Sequence, residues 1–224
     1  MKTWVVIPAY EAAGSVGAVV RVVLPYVSGV VVVDDGSSDA TASEAQAQGA
    51  RVVRHFINRG YGAALVTGNV YALRQGAEVV VHFDADGQFD PVDIPQLVAA
   101  LTPTRPSVAL GSRFLGSAPG IPWLRRFTLK LAIVFTWATS GLKLTDAHNG
   151  LRAFTAEALR LMELRQDRMA ASSEIIEEIA RLKLPYVEVP VTVTYTPYSR
   201  GASKQGRLPV LRIVKDLFVG KILR

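Results

Sequence analysis

Asp84 and Asp86, separated by one alanine, end the apolar run Val79-Val80-Val81-His82-Phe83 and are followed by Gly87, Gln88 and Asp90. A buried strand would thus deliver two carboxylates to its carboxyl end. Two neighbouring carboxylates repel, and a hard divalent cation relieves that cost. Mg2+ or Mn2+ fits, because such ions prefer oxygen ligands and complete their shell with substrate phosphates. A strand end running into an acidic turn is the plainer reading of the same residues. The elements around the pair decide between the two.

Those elements alternate. Val5-Val6-Ile7 reads as a strand ended by Pro8, and residues 14–27 as a helix with Val16, Val19, Val20, Val23 and Val27 on one face. Val30 to Val33 reads as a strand ending in Asp34-Asp35, Thr41 to Gln48 as a helix, and Arg51 to Arg54 as a strand. Gly60 to Arg74 reads as a helix, Glu78 to Phe83 as the strand above, and Pro91 to Leu101 as a helix with proline in its first turn. Val108-Ala109-Leu110 is a strand running into Gly111-Ser112-Arg113. Apolar strands alternating with helices predict an α/β fold with a mostly parallel sheet covered on both faces. Ligands bind such sheets beyond the strands' carboxyl ends. Pro8-Ala9-Tyr10, Asp34-Asp35, Asp84-Ala85-Asp86 and Gly111-Ser112-Arg113 are therefore expected on one edge.

The second half is less regular. Residues 123–140 read as an apolar helix with basic flanks. Ser173 to Leu182 reads as a helix burying Ile175, Ile176, Ile179 and Leu182, with Ser172 or Ser173 as N-cap. Val187 to Tyr195 alternates as a half-buried strand, and Pro190 marks it as an edge or bulged strand.

Composition narrows the class. The 224 residues suit one large domain, or one domain with an appendage. The absence of cysteine excludes disulfides and thiolate metal sites and fits a reducing compartment. The start stops being apolar at Pro8 and does not read as a signal peptide. No apolar run reaches the ~18 residues of a membrane span, so no crossing is expected. The net charge of +6 is concentrated after residue 104 and suggests a phosphate-bearing partner. Residues 123–143 and 208–223 mix large apolar side chains with Arg125, Arg126, Lys130, Lys143, Arg212, Lys215 and Lys221. Both suit helices lying in a membrane interface. A basic nucleic-acid-binding domain is the non-enzymatic rival; the carboxylates at the strand ends would repel a phosphate backbone, so no nucleic acid is expected.

Seven short motifs then occur in order: Val-Ile-Pro8-Ala9-Tyr10, Val-Val-Val33-Asp34-Asp35-Gly-Ser-Ser-Asp39, Asn58-Arg59-Gly60, Asp84-Ala85-Asp86-Gly-Gln88, Gly111-Ser-Arg113-Phe, Asp146-Ala-His-Asn149-Gly150-Leu-Arg152-Ala-Phe and Gly201-Ala-Ser-Lys204. In this order the chain resembles family 2 glycosyltransferases of the GT-A fold, in the branch of dolichyl- and polyprenyl-phosphate sugar synthases. The resemblance implies a catalytic domain over 1–205, with a nucleotide-binding half to about 115, an acceptor-side half from about 116, and an amphipathic helix over 206–224. It implies a donor site formed by Pro8, Ala9, Tyr10, Glu11, Val33, Asp35, Asp84, Ala85, Arg113, Arg200 and Lys204. Asp86 and Gln88 would hold Mg2+ or Mn2+, with Asp84 at the ribose or just behind the metal. Asp86, Arg113 and Asp146 would be catalytic, Asp146 orienting the acceptor or acting as its base. Arg152, with Asn149, would bind the acceptor phosphate, or Arg152 would pair with an acid inside the fold. The family usually has Asn-Glu after the tyrosine, whereas this chain has Glu11-Ala12. His148, with no second His or Cys near it, reads as structural.

The resemblance thus implies an inverting, metal-dependent transfer of a hexose from a nucleotide-diphosphate sugar to a polyprenyl phosphate on the cytoplasmic membrane face, with a separate membrane-spanning subunit as a conceivable partner. The same fold acting on a saccharide hydroxyl is the enzymatic alternative, and it would need a true general base.

Overall fold

The computed structural model describes residues 1–102 and 104–195. Arg200, Lys204 and the helix expected over 206–224 lie outside the described residues. Seven strands form one sheet in the order β3-β2-β1-β4-β6-β5-β7. These are β1 (Thr3–Ala9), β2 (Gly29–Asp34), β3 (Arg51–Arg54), β4 (Val79–His82), β5 (Val108–Ser117), β6 (Arg152–Thr155) and β7 (Tyr186–Thr192). Only β6 runs against its neighbours, β4 and β5; the other described pairings are parallel. Pro190 lies on β7, which forms one edge of the sheet, where a missing N–H is tolerated.

The valine-rich strands are apolar on both sides because both sides are covered. Val5, Ile7, Val30 and Val32 pack with Val16, Val19, Val20 and Val23 of α1 (Val16–Val23). Val6, Val31 and Val33 point the other way. They meet Ala64 and Leu65 of α3 (Tyr61–Arg74), Ala158 and Leu159 of α6 (Ala156–Leu161), and Ile175, Ile176 and Ile179 of α7 (Ala171–Arg181). This is the period-two alternation of a strand with two buried faces. The remaining α-helices among the described residues are α2 (Thr41–Ala47), α4 (Ile94–Ala100) and α5 (Trp123–Ser140).

Two local expectations need correction. The Gly111-Ser112-Arg113 segment is not a strand end, because β5 continues to Ser117 alongside β7. Leu110 and His82 both pair with Arg152, so Arg113 lies level with the Asp84–Asp86 turn, beyond the end of β4. Neither Ser172 nor Ser173 caps α7; the flanking residue is Ala170, and both serines lie inside the first turn. Arg152, within the Asp146–Phe154 motif, begins strand β6.

Candidate active site

The carboxyl edge of the sheet opens into a cleft of about 390 Å³, within the usual size range of small-molecule sites. Along it the sheet order sets the sequence of contributors. Pro8 and Ala9 end β1, with Tyr10 and Glu11 following; Asp84, Ala85, Asp86 and Gln88 follow β4; His148 and Gly150 precede β6; Arg113 comes from β5 and Val193 from beyond β7. Tyr61 of α3, Arg125 of α5, and Met169 and Ser172 at the start of α7 complete the walls.

Of the two aspartates in the turn after β4, Asp84 is the more tightly enclosed. The Tyr61 hydroxyl donates to its Oδ1 at 3.3 Å. A Cβ added to Gly150 would stand 2.4 Å from its Oδ2, so any larger residue there would have to displace the Asp84 carboxylate. Burial, and then the charge of Asp86, push the Asp84 carboxyl up to about 7. Burial also raises Asp86, against the Gln88 N–H it accepts at 3.1 Å and the positive charge of Arg125. Both acids therefore resist ionising together, a cost that a bound cation removes. Among the described residues no cluster of three or more His, Asp or Glu forms a metal cage. Oxygen donors on Asp86 and Gln88, with Asp84 beside them, nonetheless fit an ion of the Mg2+ type. Such ions take one or two protein carboxylates and draw other ligands from substrate phosphates.

Other expected site residues stand behind the cleft rather than in it. Asp35 is buried, and both its oxygens are taken: Oδ1 by the Arg59 N–H (2.9 Å) and His55 Nδ1 (2.6 Å), Oδ2 by the Gly60 N–H (2.6 Å). It fixes the entry to α3. Val33 is fully buried in the core. Asp146 is also enclosed: its Oδ2 accepts Arg113 Nε at 2.6 Å and the Arg113 backbone N–H at 3.1 Å. The same guanidinium donates from Nη1 to the Tyr195 hydroxyl (2.6 Å) and from Nη2 to the His148 carbonyl (2.8 Å). Arg113 thus borders the cleft with its donors largely committed, and Asp146 serves it as counter-ion. Asn149 is buried and accepts the Leu151 N–H at 3.0 Å. Arg152 is buried in β6 and does not line the cleft. Among the described residues its guanidinium forms no ion pair; it acts on Asp84, Asp146 and the Tyr61 phenol at longer range.

Glu11 has a left-handed backbone (φ 51°). Its Oε1 accepts the Ser38 N–H (2.8 Å) and hydroxyl (2.9 Å), while its own N–H donates to the Ser37 hydroxyl (2.9 Å). It ties the β1 turn to the β2 turn and still borders the cleft. Asp39 accepts the Thr41 and Ala13 N–H groups.

Sequence reasoning missed Tyr61, Arg125, His148, Gly150, Met169 and Ser172. Arg125 was visible only as a basic flank, and Gly150 only as part of a motif. Met169 and Ser172 carry no local signal; the preceding segment places them there. Glu174 Oε2 accepts the Arg165 and Gln166 N–H groups, and the Asp167 carbonyl accepts the Ala63 N–H, strapping residues 163–168 across the start of α3.

Comparison with known proteins places this architecture. The sequence model of glycosyl transferase family 2 matches residues 4–161. An uncharacterized protein of Methanocaldococcus jannaschii is 35% identical, over 88% of this chain and 84% of its own. The UDP-N-acetylglucosamine–dolichyl-phosphate N-acetylglucosaminyltransferase of Methanococcus voltae is 29% identical, over 98% and 97%. The polyprenol monophosphomannose synthase of Mycolicibacterium smegmatis is 31% identical, over 91% and 80%. Among solved structures, glucosyl-3-phosphoglycerate synthase of Mycobacterium tuberculosis superposes with a TM-score of 0.69 at 24% identity, over 90% of this chain and 78% of that one. A structure of the same enzyme with Mn2+, UDP and phosphoglyceric acid gives 0.68 at 22% identity, over 90% and 73%. The fold is the GT-A fold that the motifs implied.

Proposed function

We propose that this chain, which belongs to glycosyl transferase family 2 and is a glycosyltransferase, moves a hexose from a nucleoside-diphosphate sugar to a polyprenyl or dolichyl phosphate. The observation that carries this reading is the pair Asp84 and Asp86, both pushed up and both open to a cleft bordered by Arg113 and Arg125. A diphosphate and a divalent cation satisfy these charges together. Held by Asp86 and Gln88, that cation would stabilise the departing nucleoside diphosphate as a Lewis acid. Tyr10, whose ring is half exposed on the β1 side, suits the nucleoside.

The engagement of Asp146 supports a phosphate acceptor. A saccharide hydroxyl needs a general base. Asp146, expected either to orient the acceptor or to act as its base, instead has its Oδ2 bound to Arg113 inside the fold. A lipid phosphate needs none, since its second pKa of about 6 leaves it a nucleophile at neutral pH. In-line attack on the anomeric carbon then breaks its bond to the nucleoside diphosphate and inverts the configuration. The Methanococcus and Mycolicibacterium relatives are named for activities of this class.

Helix α5 supports delivery of a lipid. Among its side chains only Thr136 is buried, while Trp123, Leu124, Phe127, Leu131, Val134 and Trp137 are exposed. Arg126, Lys130 and Lys143 stand among them, and Arg125 reaches the cleft. An apolar face with a cationic fringe suits an anionic membrane surface. Among the described residues no helix is long and apolar enough to cross a membrane.

The test has two stages. UDP, GDP, UDP-glucose, UDP-N-acetylglucosamine and GDP-mannose are screened by thermal shift with and without Mn2+. The nucleotide sugar that stabilises is then supplied, radiolabelled, with undecaprenyl phosphate. Metal-dependent stabilisation lost in Asp86→Ala, and label in the organic phase, are expected. Label passing only to soluble saccharides would refute the acceptor class.

A further inference from the structure

We infer that His148 reads the hexose of the donor, accepting a hydrogen bond from one sugar hydroxyl at the β6 side of the cleft. This rests on the nucleotide-sugar reading above and extends it to the sugar contact. The strand order supplies the first argument. The β1 turn, the Asp84–Asp86 turn and the His148–Gly150 turn follow one another across the sheet as β1, β4 and β6. A diphosphate centred on the carboxylates has its nucleoside on one side and its sugar on the other. With the nucleoside over Tyr10, the hexose falls between Tyr61, His148 and Ser172.

The second argument is the state of the ring. His148 Nδ1 is sealed from solvent and has no partner in full hydrogen-bond geometry. Nε2 is therefore the nitrogen left to meet a ligand. Burial holds the imidazole below its usual pKa, although the Ala147 carbonyl works in the opposite direction. A neutral ring carries one donor and one acceptor, which suits a hydroxyl better than a phosphate. The positive charges of Arg125 and, behind its committed donors, Arg113 border the cleft and suit the phosphates instead.

The third argument is preorganisation. The His148 carbonyl accepts Arg113 Nη2 at 2.8 Å, and its N–H donates to Asp146 Oδ1 at 3.3 Å. The backbone is pinned on both sides by the buried Arg113–Asp146 pair. A side chain fixed in this way loses little freedom on meeting a sugar.

The experiment compares affinities for UDP and UDP-glucose, UDP and UDP-N-acetylglucosamine, and GDP and GDP-mannose by calorimetry in Mn2+. Wild type, His148→Ala and His148→Asn are used. One neutral hydrogen bond corresponds to about a tenfold change in affinity. The nucleotide sugar is expected to weaken by about that factor in His148→Ala, with the nucleoside diphosphate unchanged; the latter also shows that the variant is folded. Monodeoxy analogues of the sugar should include one that binds wild type and variant alike. Equal weakening of nucleotide and nucleotide sugar would overturn the inference, as would unchanged sugar binding with reduced turnover. Wild-type protein binding none of these ligands would instead overturn the donor reading beneath it.

Discussion

Replacing Gly150 with alanine separates function from stability at this site. The added Cβ would lie 2.4 Å from Asp84 Oδ2 and 2.9 Å from its Cγ and Oδ1. Ordinary carbon–oxygen contact begins near ~3.4 Å, so one partner has to retreat by about 1 Å. The loop is held: Leu151 donates its N–H to Asn149 Oδ1 at 3.0 Å, and its carbonyl accepts the Gly111 N–H at 2.9 Å. Gly150 is not among the glycines with positive φ, so the backbone accepts alanine and the effect is steric. The movable partner is the Asp84 carboxylate, whose one neutral tether is the Tyr61 hydroxyl. The stability cost should stay at the low end of overpacking, about 1–3 kcal/mol. A displacement of about 1 Å in a reacting constellation costs on the order of a hundredfold in rate. Gly150→Ala should therefore remain folded by denaturant titration yet lose most of its Mn2+-dependent nucleotide affinity and turnover. In Asp84→Ala the clash has no target, so Gly150→Ala should add little to it, a clear departure from additivity. Affinity and rate within twofold of wild type in Gly150→Ala would refute the idea that Asp84 must hold this position.

Three further outcomes follow from the same geometry. The Arg113–Asp146 pair is almost wholly buried at 2.6 Å, so Asp146→Ala strands a buried cation and should destabilise the protein by about 3–5 kcal/mol in urea; a stability change below 1 kcal/mol would contradict a structural role for Asp146. Asp84 has its folded pKa raised to about 7 from an ordinary 3.8, so between those values the native state binds more protons than the unfolded chain and stability falls as pH rises. Asp84→Asn should remove that slope, and in wild type Mn2+ with UDP or GDP should remove it too, because the bound cation favours the ionised carboxylate; pH-dependent calorimetric melts read both. Finally, Trp123→Glu with Phe127→Glu, on the exposed face of α5, should weaken sedimentation with phosphatidylglycerol vesicles at least tenfold while leaving nucleotide affinity intact.

The sheet was legible because its strands are apolar on both faces and are punctuated by proline, glycine and paired aspartates. Helix α3 and strands β2, β3 and β4 fall within a residue or so of where the valine runs place them. Strand β6 was not legible: Arg152-Ala153-Phe154-Thr155 is four residues long and begins with an arginine that only burial between β4 and β5 makes a strand residue. The extension of β5 past Leu110 was hidden for a similar reason, because its partner β7 lies about 75 residues away and no local pattern announces the pairing. At the site, spacing identified the turns that converge but not which polar atoms satisfy one another. Asp35 looks like a ligand-facing acid until His55 and two backbone N–H groups are found on it. Asp146 looks like a base until Arg113 is found on it.

That last pairing organises the β5–β6 side of the cleft. Arg113 holds Asp146, Tyr195 and the His148 carbonyl at once, and Arg125 of α5 lies over the Tyr195 ring at 5.4 Å. Strand β5, the turn before β6, the segment after β7 and the exposed helix α5 therefore meet on one guanidinium and one phenol. A lipid surface engaging α5, as proposed, would act on Arg125, and through Tyr195 on the group that fixes His148. Loss of the Tyr195 hydroxyl in Tyr195→Phe would leave Arg113 paired with Asp146 but free one donor at the cleft. If the coupling runs through this contact, the variant should keep its nucleotide affinity and lose any stimulation of turnover by anionic vesicles; stimulation equal to wild type would break the link between α5 and the acceptor wall.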